Sequence, residues 1–539
     1  MAFPTNYDAS VSPKFYITGN TDTTGTVTIP GQSIPVPFTV TAGKVTTVTI
    51  PTSAEIQPSS SNVIGNLGIH IVAADNVTVY GFNSIPYTTD AYLALPTAVL
   101  GEEYLVMAFP TTLQGYGSEF AIVGTAESTI VTITPTATVG TRIAGVAYTI
   151  TLNQGQTYEL QAPNSGNDVS GTLITSDAPV AVYGGSVCTD VPNSSTYACN
   201  HLVEQMPPTS AWGKAFYTEP LATRTKGDTF RFLVSVDGTT ISLNGSTLTM
   251  LNRAKVYQME LTAASEITSD QPILVMQYSN GTTYDGASSD PFMMLVPPFE
   301  QYLTGYTITT PASGFSPNYV NVIAPTAGAS SITLDGTSIT SSLFKQIGSS
   351  SYSGAQVPLA IGAHNLAGSV PFGLVSYGFA PADGYGYIGG FSLSPVASVS
   401  SVTVGSSARH FWMQGGSVQV HGQFWHGLGV VGEVSGLHTG DMDGSGVALD
   451  MVTATFGPRY TWQIPRRRFC LLRPGAGRRG ECLPQRLSPH RGSNRQCLLP
   501  GCENRRRTER EAFGPLLPAP LPGRMAPHTT TQWIHQRTE

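Results

Sequence analysis

Two cysteines offer the most specific chemistry in the first 400 residues. Cys188 and Cys199 flank the turn-rich stretch TDVPNSSTYA, and no other cysteine precedes residue 400. In an oxidising compartment such a pair closes a loop and stabilises a fold by about 2–4 kcal/mol. The alternative is a nucleophilic cysteine with His201 as its base. Because both cysteines lie in one loop, and no orienting group or oxyanion hole is identifiable, we predict a Cys188–Cys199 disulfide.

Metal chemistry is suggested by one segment near the C-terminus. The stretch GDMDGSGVALD resembles a calcium loop through four residues: Asp441, Asp443, Ser445 and Asp450. An EF-hand loop has glutamate at its twelfth position, where this chain has Val452. The tail cysteines lack the paired CxxC spacing of a zinc site; they are Cys470, Cys482, Cys497 and Cys502. We therefore expect neither a metal nor a cofactor.

Catalytic motifs are absent from the sequence. It contains no GxSxG elbow, no HExxH helix motif and no glycine-rich phosphate loop. His70 lies in the apolar stretch GIHIVAA and is expected to be packed within a strand. His421 and His426, in HGQFWHG, form no recognisable site. We therefore predict a non-catalytic protein with no catalytic residues.

Internal repeats organise the chain before residue 396. MAFPT occurs at residues 1–5 and again at 107–111, and GKAFYTEP (213–220) and GYTITTP (305–311) follow at similar spacing. A second marker closes each copy, for example SDAPVAVYGGS at 176–186. Such self-similarity indicates duplication. We predict four β repeats at residues 1–99, 100–211, 212–303 and 304–395, the first of them truncated at its N-terminus.

Short alternating segments predict that the repeats are all-β. The second repeat contains seven, bounded by turn residues: YLVMAF (104–109), EFAIVGT (119–125), TIVTITP (129–135), YTITL (148–152), TYELQ (157–161), GTLIT (171–175) and PVAVYGG (179–185). Seven strands in about 95 residues are typical of an immunoglobulin-like sandwich. We predict four tandem β-sandwich-like repeats packed together, with a β-propeller as the alternative.

Composition and charge restrict the class of partner. Charged residues make up 11% of the 539 residues, and residues 1–400 hold ten Lys and Arg against 25 Asp and Glu. Phosphate binding needs clustered basic residues, so we expect no nucleic acid. No apolar run reaches the ~18 residues of a membrane helix. We find no signal peptide and expect the true N-terminus to be missing, since Met1 opens inside a repeat.

The β pattern stops near Val396. The segment SPVASVSSVTVGSSA (394–408) either begins another sandwich or is a linker. Residues 465–507 are rich in Arg, Pro, Gly, Cys and Leu and show neither strand nor helix periodicity. For residues 396–539 we predict a linker followed by an irregular or disordered basic tail, of the kind that an aberrant reading frame would produce. The alternative is a functional basic tail that binds an acidic partner.

Several segments of residues 1–395 resemble one protein family. They are CNHLVEQMPPTSAWG (199–213), SDAPVAVYGG (176–185), LPTAVLGEEYLVMAFP (95–110), GDTFRFLVSVDGTTISLNG (227–245) and YITGNTDTTGTVTIPG (16–31). They are similar to the amino-terminal domain of the IgG-Fc-binding protein family, and the last is typical of its bacterial branch. The resemblance implies a secreted or cell-surface binding or adhesion module. Its partner would be an extracellular protein or glycoprotein, such as immunoglobulin Fc or a mucin.

Two other functions compete with this interpretation. A carbohydrate-binding or carbohydrate-processing sandwich would present exposed aromatic rings, and four candidates lie in Gly- and Asp-rich segments: Tyr284, Phe292, Tyr385 and Tyr387. A purely structural spacer of a surface protein would have no concave site. We favour the non-catalytic binding or adhesion module and keep the carbohydrate and spacer functions as alternatives.

Overall fold

The computed structural model describes residues 1–7, 13–29 and 35–392 with their side chains, and further strand backbone between residues 398 and 537. The chain divides into two compact units, Met1–Pro395 and Val396–Glu539. The regular secondary structure of the first unit is nearly all strand, which confirms the all-β class. No helix among the described residues is long and apolar enough to cross a membrane.

Two antiparallel sheets make up the first sheet group of this unit. Their orders are β4-β1-β7-β8 and β3-β2-β6. The strands are β1 (Lys14–Thr18), β2 (Thr23–Thr28), β3 (Val36–Val40), β4 (Val45–Thr49), β5 (Ile64–Gly65), β6 (His70–Ala73), β7 (Thr78–Ile85) and β8 (Thr88–Leu93). The short β5 pairs with a strand of the second group.

Three further sheet groups share one plan, in which a long strand pairs with strands along both of its edges. The second group contains β9 (Gly101–Leu105), β10 (Ser118–Gly124), β11 (Thr129–Thr134), β12 (Tyr148–Leu152), β13 (Thr157–Ala162), β14 (Leu173–Thr189) and β15 (Asn200–Met206). The third contains β16 (Gly213–Thr218), β17 (Asp228–Val234), β18 (Thr239–Leu243), β19 (Ser246–Leu251), β20 (Val256–Leu261), β21 (Ser265–Tyr278) and β22 (Met293–Leu295). The fourth contains β23 (Leu303–Thr309), β24 (Asn318–Pro325), β25 (Thr333–Leu334), β26 (Thr337–Ser338), β27 (Lys345–Gln346), β28 (Tyr352–Leu359), β29 (Ala363–Ala380) and β30 (Asp383–Ile388).

The long strands β14, β21 and β29 differ from the sequence prediction. We expected Pro179, Pro272 and Pro371 each to begin a separate closing strand, but each lies inside a long strand. In β14 the pairing register with β9 shifts between Thr175 and Val180, and β21 and β29 show equivalent shifts around their prolines. A bulge leaves a residue unpaired, so the missing proline N–H is tolerated there. The predicted strands 171–175 and 179–185 are therefore parts of one strand.

Proline-containing joints connect consecutive sheet groups. Each joint is a single 3-10 turn preceded by proline, at Thr97–Val99, Thr209–Ala211 and Phe299–Gln301. A Cβ on Gly101, which begins β9, would lie 2.6 Å from Cβ of Pro208 in the following joint. A Cβ on Gly213 would lie 2.2 Å from Cβ of Pro298. Because any side chain at these two positions would collide with a proline, only glycine fits there. This accounts for the glycine at the start of both β9 and β16. The other short helices are Thr52–Ala54, Pro58–Ser60, Ala329–Ser331, Ser341–Leu343 and the α-helix α1 (Thr282–Asp285).

Four inner strands hold the sheet groups together. They are β8, β15, β22 and β30, each hairpin-paired with the preceding strand of its own group. β8 contacts β15 and β30, and β22 contacts the same two strands, so the four close a ring. All of their residues are buried. One continuous apolar core includes side chains from all four groups. A closed ring is a feature of the propeller alternative, but each group has more strands than a four-stranded blade.

The boundaries and the number of the repeats remain predictions. The short β5, which lies within the first predicted interval, pairs with β13, which lies within the second.

The second unit contains seven strands among its described residues. They are β31 (Ser398–Val404), β32 (Ser407–Trp412), β33 (Gln414–Trp425), β34 (Leu428–Thr439), β35 (Ala448–Gln463), β36 (Cys470–Leu472) and β37 (Thr530–Arg537). Five of them form one sheet. Most of the arginine-rich stretch for which we predicted an irregular tail lies outside the described residues, and that prediction is untested.

Candidate binding surface

The turns of the inner hairpins meet at one end of the ring of inner strands. Two are tight, at residues 86–87 and 381–382, and two are long, at 190–199 and 279–292. Together with Tyr7 and the segment around Tyr116 they surround a groove of about 800 Å³. We call it the tyrosine groove.

Exposed aromatic rings mark this groove. Among the described residues three tyrosines are more than half exposed: Tyr7 at 51%, and Tyr87 and Tyr197 at 68% each. All three line the groove, along with the half-buried Tyr116. Tyr7 and Tyr116 pack at a centroid distance of 4.9 Å, and a hydrogen bond between their hydroxyls raises the pKa of Tyr116. A cluster of large aromatic side chains that remains exposed to solvent is typical of a binding surface.

Tyr87 occupies an unusual backbone position. It is the second residue of the tight β7–β8 turn, with φ of +69°, and Pro86 precedes it. A turn of this kind favours glycine at that position, because a Cβ is disfavoured at positive φ. The equivalent turn of the fourth group has the small residue Ala382, with φ of +52°. A bulky side chain at a strained and exposed turn position indicates that the Tyr87 ring has a functional role.

The disulfide loop forms another wall of the groove. Cys188 and Cys199 are bonded, with a Cα–Cα distance of 5.3 Å, as the sequence predicted. The loop also docks on the long loop of the third group. The N–H of Tyr197 donates to Thr283 Oγ1 at 2.7 Å, and the Tyr197 carbonyl accepts from the N–H of Thr283 at 2.9 Å. The N–H of Gly281 donates to the Val191 carbonyl at 2.9 Å. The Tyr197 ring is therefore exposed on a backbone that is held at several points.

Buried carboxyl groups lie beneath the exposed rings. Asp290 and Asp190 line the groove and are 1% and 5% exposed. The N–H of Ala198, next to Tyr197, donates to the Asp290 carboxyl. Oδ1 of Asp290 has no hydrogen-bond partner. Burial, with the nearby charge of Asp383, raises the pKa of Asp290 to about 8.

The nucleophile alternative does not fit this arrangement. Both sulfurs are bonded to each other, and His201 is fully buried. Its Nδ1 lies 3.0 Å from the Ser186 carbonyl oxygen, and burial lowers the pKa of the imidazole to about 3. A neutral, buried ring of such low basicity is a poor general base.

Three of the four aromatic residues that we singled out for sugar binding are not exposed. Phe292, Tyr385 and Tyr387 have zero exposure and pack in the core. Tyr284 is half-buried beside Lys226. Their glycine neighbours allow rings to pack closely: a Cβ on Gly386 would lie 2.6 Å from atoms of the Phe292 ring. Phe292, Tyr385 and Tyr387 therefore do not form the exposed platform that the carbohydrate alternative requires.

Other residues named from the sequence contribute no site. His70 is exposed on β6, although we expected it to be packed. His421 and Asp450 lie on strands whose side chains are not described, and His426, Asp441, Asp443 and Ser445 fall outside the described residues. Of the tail cysteines, Cys470 lies on β36 and the others are outside the described part. The described residues contain no group of three or more His, Cys, Asp or Glu placed to hold a metal ion.

Comparison with known proteins points to one family. The model of the family described as IgGFc binding protein matches residues 90–378, which is more than half of the chain. The human IgGFc-binding protein is 27% identical over 399 residues, covering 71% of this chain and 7% of the human protein. This chain therefore spans a small fraction of that relative. No solved structure shows a significant match.

Proposed function

The chain belongs to the IgGFc-binding protein family, and from this premise we propose that it is a non-catalytic module that binds the Fc part of immunoglobulin G through the tyrosine groove. The observation that carries the proposal is that the three most exposed tyrosines among the described residues all lie around this one groove. Tyrosine is enriched at the residues that contribute most to protein–protein affinity, because it buries a large ring and also offers a hydroxyl group.

The form of the groove supports a protein partner. It is open, and one wall is the 190–199 loop, which the Cys188–Cys199 disulfide closes and which hydrogen bonds fasten to the 279–292 loop. A rigid, preformed surface loses less conformational entropy on binding. A structural spacer would have no such concave site.

We also propose that the protein works outside the cell or in another oxidising compartment. Disulfides persist in such compartments and are rare in the cytosol. The Cys188–Cys199 bond and the low share of charged residues, 11%, support this location.

Titration of human IgG Fc against the immobilised full chain tests the function. We expect saturable binding that weakens by at least about tenfold in Tyr197→Ala and in Tyr87→Gly, since loss of a central tyrosine typically costs more than 1 kcal/mol. Glycine is used at position 87 because it suits the positive φ. Met250→Ala is the control: Met250 is 67% exposed on β19 and does not line the groove.

Two results would contradict the proposal. One is an absence of saturable Fc binding by the wild-type chain, and the other is equal affinity of the tyrosine variants and the control. Repeating the titration with deglycosylated Fc distinguishes recognition of the Fc protein surface from recognition of its carbohydrate. If binding needs the glycan, the partner surface is a sugar.

A further inference from the structure

The floor of the tyrosine groove lacks a positive charge. Its described lining includes Asp190 and Asp290 but no lysine or arginine. The charged groups that face Asp290 are Asp383, Asp190 and Arg224. Arg224 is fully buried and already pairs with Asp285 at 2.9 Å. A nearly buried carboxyl with an oxygen that has no partner is costly unless a donor reaches it.

The exposed rings flank this carboxyl group on two sides. Asp290 accepts from the N–H of Ala198, whose neighbour is Tyr197. Asp383, which faces Asp290, accepts from the N–H of Tyr87. A group that enters the groove between Tyr87 and Tyr197 therefore meets aromatic surface at the rim and carboxyl oxygens at the floor. This combination attracts cations, through the negative faces of the rings and through charge-assisted hydrogen bonds.

We propose that the tyrosine groove binds an arginine side chain presented by the protein partner, an inference that rests on the proposed protein-binding function. The guanidinium group donates N–H bonds to Oδ1 of Asp290 and lies against the tyrosine rings. Arginine suits the groove better than lysine, because its planar group stacks on aromatic rings and offers five donors in a fixed arrangement.

Recognition of this kind depends on pH. Burial raises the pKa of Asp290 to about 8, so the carboxyl group of the free chain is largely protonated at pH 6. Guanidinium binding favours the carboxylate and releases its proton. Affinity for arginine therefore rises as the pH increases through about 8, and the neutral variant Asp290→Asn lacks this rise.

The test uses the full chain and a small probe, N-acetyl-arginine-amide, with N-acetyl-citrulline-amide as its uncharged analogue. Both are titrated at about pH 6 and about pH 8.5 and followed by saturation-transfer NMR. At the higher pH we expect the arginine probe to bind about tenfold more tightly than the citrulline probe, and Asp290→Asn to remove that preference. Asp75→Asn, at an exposed aspartate away from this groove, is the matched control. Equal binding of the two probes, or an unchanged preference in Asp290→Asn, would overturn the inference.

Fc binding measured on the same samples separates this inference from the proposed function. If Fc binds the wild-type chain and neither the arginine probe nor Asp290→Asn weakens it, the arginine inference fails while the function stands. If the arginine probe binds as expected but Fc does not, the groove has another basic partner and the proposed function fails. Thermal unfolding of each variant shows that it is folded, and the isosteric asparagine keeps the acceptor for the Ala198 N–H.

Discussion

Buried carboxyl groups occur both in the ring of inner strands and in the tyrosine groove, but their hydrogen bonding differs. In the ring, Oδ2 of Asp90 accepts from the N–H of Val203 at 3.0 Å and from that of Met293 at 3.1 Å, and Oδ1 accepts from Ala91 at 2.8 Å. In the groove, Oδ1 of Asp290 has no partner. Polar groups in a folded interior are normally satisfied. Asp290 is one of several buried side chains with an atom that has no partner, and it is the one among the described residues that lines the groove. The ring carboxyl groups join sheet groups, whereas the Asp290 carboxyl group lines the groove.

Removing a ring carboxyl group should have the largest effect. Asp90→Ala leaves buried N–H groups without an acceptor on three inner-strand residues, and these belong to three sheet groups. Each such group costs about 1–3 kcal/mol. We expect the free energy of unfolding, measured in urea, to fall by about 3 kcal/mol or more. Asp75→Ala, at an exposed position, is the control and should change little. A loss as small as that of the control would show that the ring does not depend on this carboxyl group.

The second prediction concerns pH and Asp383, which connects the ring to the groove. Its Oδ1 accepts from the N–H of Thr89 at 3.1 Å, and its Oδ2 accepts from the Thr89 hydroxyl at 3.0 Å. Burial raises its pKa from 3.8 to about 7. The folded chain therefore keeps a proton that the unfolded chain has lost. The contribution of this group to stability is fully present below about pH 4 and is lost as the pH rises through about 7.

Asp383→Asn tests this dependence, because the amide keeps the acceptor for the Thr89 N–H and can donate to the Thr89 hydroxyl. We expect the difference in unfolding free energy between variant and wild type to shift toward the variant by about 4 kcal/mol between pH 4 and pH 8, because the pKa of Asp383 rises by about three units on folding and each unit corresponds to about 1.4 kcal/mol. Urea unfolding at several pH values measures it. A constant difference across this range would mean that Asp383 does not titrate as described.

Local sequence patterns predicted local structure well. The expected strands 119–125, 129–135, 148–152 and 157–161 agree with β10 to β13 within one residue. The disulfide was also predicted, because its cysteines share one turn-rich loop. The long strand β14 was missed, since a proline within a bulge has the same pattern as a proline that starts a strand.

The ring of inner strands and the tyrosine groove could not be predicted from local sequence patterns. Asp90 and Met293 are 203 positions apart, and no period or motif connects them. Tyr387 and Tyr87 have opposite burial, because one lies on an inner strand and the other in a turn. The sequence did contain a signal that Tyr87 occupies a turn. In SIPYTT (84–89) the tyrosine follows proline between two strands, and the second residue of such a turn needs a positive φ.

The smallest expected effect on global stability comes from the disulfide at the groove. Replacing both Cys188 and Cys199 by serine leaves the inner strands intact, since a short loop removes only modest entropy from the unfolded chain. We expect the free energy of unfolding to fall by about 2 kcal/mol, the low end of the range for a disulfide. We also expect new cleavage within residues 190–198 in limited proteolysis, and Fc affinity several-fold weaker because Tyr197 is less well held. Proteolysis with mass spectrometry and the Fc titration measure these effects.

A matched variant separates the disulfide from the other contacts of the loop. Thr283→Ala removes the Oγ1 acceptor of the Tyr197 N–H but leaves the sulfur bridge and the backbone bond from Thr283 to Tyr197. If the loop is held mainly by its docking on residues 281–283, this variant increases cleavage as much as the serine pair does. If the disulfide is the main restraint, Thr283→Ala stays resistant to cleavage and binds Fc normally. Global unfolding of the serine variant would contradict the contrast drawn here, because the groove would then support the fold as the ring does.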